Sequence, residues 1–239
     1  GPIHINVPIR EPFYDFDKSV EKSKKIEHPN REKNVSLFQL QEHLGLWFSG
    51  NNVLIFNGQQ AAEKVTVNVD CLAWQTVEIS DVTANYQGEL DFWDGLIFVN
   101  NTEEIKELIP DILITTGTTT LSRGLKRLLT KYRPIEHYHI SHFNEFGAMF
   151  GTEPILVHPD QCIRHNLDPL IGMAQWTDFK KSWVQKTESF TSALLNLPWS
   201  EWNEFSATKK VLESIPENSV LHLANSMPVR YASYLQSIL

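Results

Sequence analysis

Asp111-Ile-Leu-Ile-Thr-Thr-Gly-Thr-Thr-Thr120, running on into Leu121-Ser-Arg-Gly-Leu-Lys-Arg-Leu-Leu129, is the stretch whose reading decides the fold. A short apolar run without polar alternation marks a strand buried on both faces. Gly117 turns it into a hydroxyl-rich segment that opens a helix, where free backbone N–H groups and the helix dipole favour an anion. Gly117, Thr118 and Ser122 are the candidate anion contacts, and Arg123, Lys126 and Arg127 add positive charge beside them.

The flanking sequence repeats the pattern. Residues 52–57 read as a buried strand ending at Gly58, and 76–80, 136–140 and 154–158 as further short strands. Ser36 is placed to cap a helix carrying Leu37, Leu40, Leu44 and Phe48, with Gly50 as its stop. Residues 61–72 fit either period. The helix is preferred because parallel strands at 52–57 and 76–80 need a crossover between them. Two long helices, about 176–197 and 200–214, are followed by a strand at 219–224 and a last helix from Pro228. Tyr231, Tyr234, Leu235 and Ile238 then form an apolar face with little sequence left to cover it. The fold class is α/β: a mostly parallel sheet of about five or six strands with helices on both faces.

The 239 residues carry 29 acidic against 21 basic side chains, a formal charge of -8. That balance argues against a sequence-independent nucleic-acid binder, whose affinity rests on a basic surface. Cys71 and Cys162 form no C-x-x-C motif, so neither a disulfide framework nor a zinc site is indicated, and a reducing cytoplasm fits. No apolar run approaches the roughly 20 residues of a membrane span.

Other chemistry is weakly supported. The turn at Gly117 lacks both G-x-G-x-x-G and a Walker lysine, so a nucleotide site has no motif behind it. His137, His139 and His142 invite a metal, as do His158 and His165, but strand histidines are more often satisfied by hydrogen bonds. Ser226 has no nucleophile elbow and no sequence-level base. Trp176, Trp183, Trp199 and Trp202 read as helical packing residues, and Glu103-Glu104 as a solvated helix face. What remains is Asn225-Ser-Met-Pro-Val-Arg230, a strand-to-helix turn where a hydroxyl, free N–H groups and a two-pronged arginine can clamp a carboxylate. An ordinary N-cap with Pro228 in the first turn reads equally well.

Several of these segments resemble one family, the MenD-type thiamine-diphosphate enzymes that make 2-succinyl-5-enolpyruvyl-6-hydroxy-3-cyclohexene-1-carboxylate for menaquinone synthesis. Gly1-Pro-Ile-His-Ile-Asn-Val-Pro-Ile-Arg-Glu-Pro12 resembles the end of the family's pyrimidine-binding domain, and Asn225–Arg230 the opening of its diphosphate-binding domain. Between them, residues 77–85, the Gly117 turn, His137-Tyr-His-Ile-Ser141 and the two long helices are similar to its middle domain. The resemblance implies a domain map. Residues 1–12 would end the N-terminal domain, 13–34 form a charged linker, 35–198 the middle domain, and 199–239 a helix and the start of the C-terminal domain.

It also implies the chemistry of a parent enzyme that uses thiamine diphosphate and Mg²⁺, decarboxylates 2-oxoglutarate and adds the product carbanion to isochorismate. Ser226 and Arg230 match the family's N-S-x-x-x-R motif and inherit substrate binding. Arg123 follows Ser122 where relatives carry lysine, so charge is kept while geometry changes. No catalytic residue or metal ligand is implied within this chain, which by itself should be inactive and hold no cofactor. Its implied partners are other domains of the same enzyme and homo-oligomer subunits. The alternatives are the middle domain of another thiamine enzyme, such as one like acetolactate synthase, or a free-standing anion- or nucleotide-binding module. If the Arg123 and Ser226–Arg230 clusters face opposite sides of the fold, the inherited roles weaken.

Overall fold

The computed structural model describes residues 51–60, 76–85, 88–140, 150–152, 154–157, 176–217 and 219–236, all within the unit Lys33–Leu239. The expected strand at 3–7, the linker at 13–34 and the helices at 37–48 and 61–72 lie outside the described residues, as do Cys71, Cys162, His142, His158 and His165.

Five strands form one parallel sheet: β1 Val53–Asn57, β2 Thr76–Ser80, β3 Ile112–Thr116, β4 Glu136–Ile140 and β5 Ile155–Val157. Each coincides, within a residue or two, with a run read from the sequence. The spatial order is β2-β1-β3-β4-β5, so the chain reverses its direction of travel between β1 and β3. Leu54 and Phe56 of β1, Val77 and Ile79 of β2 and Leu113 of β3 point to one face and are fully buried. Val53, Ile55, Ile112 and Ile114, on the opposite face, are buried as completely. Burial on both faces is why Val53–Phe56 and Ile112–Ile114 are unbroken by polar residues.

The first face is covered by α1 Trp93–Val99, α2 Arg123–Lys131 and α3 Asp178–Leu195. Trp93, Leu96 and Ile97 of α1, Leu125, Leu128 and Leu129 of α2 and Phe179 and Trp183 of α3 make one core with the strands. Caps fix where the helices start. The Ser122 and Thr177 side chains accept from Leu125 N and Lys180 N, and Asn203 forms a capping box with Ser206. That box starts α4 at Glu204, giving Glu204–Leu212 rather than the expected 200–214. The last helix, α5, is Met227–Tyr234, with Pro228 in its first turn.

Four sequence expectations need correction. Residues 219–224 form no strand; they are mostly exposed, Val220 at 82%. An apolar run becomes a strand only where a sheet edge offers a ladder, and among the described residues none pairs with it. The apolar face of α5 is not left open: Leu235 is fully buried with Phe92, Leu194 and Leu212, and the Tyr234 ring stacks on Phe98 with centroids 4.9 Å apart. Of the four tryptophans read as helical packing residues, only Trp183 is inside a helix, and Trp202 is 85% exposed. Glu103 and Glu104 are solvated as expected, but on a turn.

Candidate functional site

In a sheet of this order, the ligand crevice lies outside the carboxyl ends of the strands that flank the reversal, here β1 and β3. That position is filled by the protein's own loops. Gly58 N donates to Thr116 O at 3.0 Å, Gln59 N to Thr119 O at 2.9 Å, and Thr118 N to Gln59 O at 2.8 Å. Gly117 takes a φ of +78°, open to glycine at little cost, and a Cβ there would stand 2.7 Å from Gln59 O. A Cβ on Gly58 would stand 2.4 Å from Thr119 O. Below this seam the Asn57 amide donates to Glu78 (2.8 Å) and Ser80 (3.3 Å) and accepts from the Thr116 hydroxyl (2.9 Å), tying the ends of β2, β1 and β3 together.

The anion candidates of the Gly117 turn are therefore engaged within the chain. Thr118 uses both its N–H and its hydroxyl on Gln59 O. The buried Asp81 carboxylate accepts from Leu121 N at 2.8 Å and from the N–H and hydroxyl of Thr83. Ser122 accepts from Leu125 N and donates its hydroxyl to Asp94. The helix start already has its negative partners in Asp81 and Asp94. Arg123, the first residue of α2, is exposed just beyond them.

Asp94 is the residue the sequence reading missed. It sits in the first turn of α1, buried, and its second oxygen accepts the Ser233 hydroxyl of α5 at 2.7 Å. One carboxylate thus joins the cap of α2 to α5 across 139 positions of sequence on one side and 28 on the other. Burial pushes the Asp94 carboxyl up to about 6, against the two serine hydrogen bonds, which lower it, while Asp81 raises it further. Gly95 makes the junction possible by bringing helices close: a Cβ there would meet the Phe190 ring of α3 at 2.7 Å and lie 3.6 Å from the Tyr234 Cβ of α5.

The same junction lies next to both basic clusters in sequence, one residue before Arg123 and three after Arg230. The Tyr234 phenol is pushed up to about 12, first by burial and then by Asp94; Arg230 and Arg123 both act on it in the opposite direction. Arg123 directly follows Ser122, and Arg230 stands one turn before Ser233, so the Asp94 bridge joins the two segments that carry these arginines. Arg230 is half-buried, its guanidinium 3.9 Å from Met227 Sδ. Ser226, at the cap position of α5, is exposed and makes no capping bond with its side chain; its backbone takes φ 80° and ψ -129°. Such a conformation costs a non-glycine residue on the order of 1–3 kcal/mol. The Ser226 hydroxyl does not take the capping role that serine usually has there.

His137 and His139 form a separate buried cluster. His137 Nε2 lies 2.8 Å from Thr115 Oγ1 and its Nδ1 2.7 Å from Thr152 Oγ1, while His139 Nδ1 lies 2.9 Å from Thr115 Oγ1. Burial, helped by His139, lowers His137 to about 3; burial lowers His139 to about 4. These are neutral imidazoles bonded to threonines. Among the described residues, no three or more His, Cys, Asp or Glu side chains are grouped to hold a metal. With the reversal crevice also filled, the described residues do not fit a diphosphate cofactor with its Mg²⁺. No described helix is long and apolar enough to cross a membrane.

No family model matches the chain. Individual relatives do. The chain is 25% identical over 265 residues to the 2-succinyl-5-enolpyruvyl-6-hydroxy-3-cyclohexene-1-carboxylate synthase of Flavobacterium johnsoniae, covering 99% of this chain and 44% of the relative. It is 26% identical to the synthase of Bacteroides thetaiotaomicron, covering 99% and 42%, and 28% identical to that of Cytophaga hutchinsonii, covering 98% and 43%. The chain resembles this synthase along nearly its whole length. It spans 42–44% of the length of these relatives, so it corresponds to a portion of the synthase.

Asp94 did leave a signal in the sequence: it is the one charged residue in Phe92-Trp-Asp-Gly-Leu-Ile-Phe-Val99, and an acid inside an apolar helix needs buried partners.

Proposed function

We propose that the chain is the central domain, with flanking remnants, of a synthase that uses thiamine diphosphate and Mg²⁺ to decarboxylate 2-oxoglutarate and add the product carbanion to isochorismate in menaquinone synthesis. The enzyme is cytoplasmic and oligomeric, and this portion contributes Arg123, Ser226 and Arg230 to a rim that holds the substrates' carboxylates. The observation that carries the reading is the similarity to the synthase over 97–99% of the chain, and the Asp94 bridge between the segments that bear Arg123 and Arg230 supports it. Both substrates carry two carboxylates, and two fixed guanidinium groups suit them by charge and by paired N–H geometry. The cofactor supplies the electron sink that stabilises the carbanion. Its diphosphate and metal sites, and the general acid–base group, belong to parts of the enzyme outside this chain.

The filled crevice between β1 and β3 speaks against a free-standing nucleotide module. The test is activity. The full-length protein should form product from 2-oxoglutarate and isochorismate only with thiamine diphosphate and Mg²⁺, and the 239-residue chain should form none and show no thermal shift with the cofactor. A full-length protein without that activity overturns the reading.

A further inference from the structure

We propose that Asp94 is a positioning residue: by accepting one hydroxyl from the start of α2 and one from α5, it sets the spacing at which Arg123 and Arg230 meet one dicarboxylate. The inference rests on the functional reading above and adds to it a residue that touches no substrate.

Neither stability nor packing accounts for an acid at this place. Burying the Asp94 carboxylate costs free energy that an apolar side chain would not, and replacing such a buried polar group together with its partners by apolar side chains is often neutral or stabilising. Other contacts of α5 with α1 include the apolar Phe98–Tyr234 stack and the cluster around Leu235, and apolar contacts let one helix slide along another. A hydrogen bond is directional and does not. Each arm of the Asp94 bridge ends close to a basic residue. Ser122 caps α2 and its neighbour Arg123 is the first helical residue, so fixing the cap fixes the arginine's base. Ser233 lies three residues after Arg230 on α5, on the adjoining turn of the same helix face. The groups that act electrostatically around the junction are Asp81 after β2, Arg123 on α2, and Arg230, Tyr231 and Tyr234 on α5.

The experiment measures KM and kcat for 2-oxoglutarate, with the thermal midpoint, in the full-length protein bearing Asp94→Ala, Asp94→Asn, Ser233→Ala or Arg230→Ala. Asp94→Ala should raise KM about tenfold with a smaller effect on kcat, because a displaced cation loses binding first. Asp94→Asn should restore KM to within about twofold, since an amide oxygen accepts from Ser122 while its N–H donates to Ser233. Should Asp94→Ala fail to fold, Ser233→Ala cuts only the α5 arm and should raise KM about threefold with a small change in midpoint. The proposal is overturned if Arg230→Ala raises KM while Asp94→Ala, or Ser233→Ala in its place, lowers the midpoint and leaves KM alone, or if Asp94→Asn is as harmful as Asp94→Ala. If Arg230→Ala itself leaves KM unchanged, the functional reading fails instead.

Discussion

The Asp94 junction and the His137–His139 pair are both polar groups sealed into apolar surroundings, and desolvation drives both toward neutral forms with opposite consequences. The carboxyl rises to about 6; the imidazoles fall to about 3 and about 4. Asp94 binds its proton more tightly folded than unfolded, so its favourable contribution is full below about 3.8 and is lost as pH rises through 6. The histidines bind theirs less tightly when folded, so stability is lost as pH falls below 6.5. The pair spans two adjacent strands through Thr115 and serves the sheet, whereas Asp94 spans three helices and serves their arrangement. A buried group that opposes the stability of its own fold near neutral pH is the one whose retention points to geometry.

The largest effect should come from breaking the histidine side. Between pH 6.5 and 4.5 the histidines should cost the native protein several kcal/mol, at about 1.4 kcal/mol per unit of pKa displacement and partly offset by Asp94, and His137→Gln with His139→Gln should remove that loss. Urea midpoints across the pH range measure it; an unchanged slope would mean the histidines titrate normally. On the carboxylate side, Asp94→Ala leaves the Ser122 and Ser233 hydroxyls without their acceptor and should cost about 2–4 kcal/mol at pH 5. Asp94→Asn should instead match the native protein near pH 4 and exceed it at pH 7. Between the clusters lies the loop seam, and Gly58→Ala drives a Cβ against Thr119 O at 2.4 Å, which should cost about 1–3 kcal/mol in chemical denaturation. Trp202→Ala, at an 85% exposed position away from both clusters, should change stability by less than about 0.5 kcal/mol.

Strands β1, β3 and β5 were legible as short apolar runs closed by glycine, proline or polar residues, the pattern that burial on both faces demands, while in β2 and β4 polar residues alternate with apolar ones. Their order was not, since nothing local in 76–80 says that it lies beyond β1 at the edge. The reading of 219–224 as a strand failed for the same reason: periodicity reports a segment's appetite for a sheet, and availability of an edge is a property of the whole molecule. Arg123 was singled out as charge beside the Gly117 turn and Ser226 with Arg230 as a carboxylate clamp, and resemblance to the synthase added the substrate role proposed for them. Asp94 escaped because an acid beside a glycine reads as the edge of an apolar run, and its partner Ser233 stands 139 residues away.

The central claim is that the clusters of α2 and α5 act as one site. A double-mutant cycle on Arg123→Ala and Arg230→Ala in the full-length enzyme, read as kcat/KM for 2-oxoglutarate, tests it most directly. Two cations sharing one dicarboxylate should couple by about 1 kcal/mol or more, so that the double variant is impaired less than the product of the single effects. Effects that multiply within about 0.3 kcal/mol would mean that the two arginines serve independent sites.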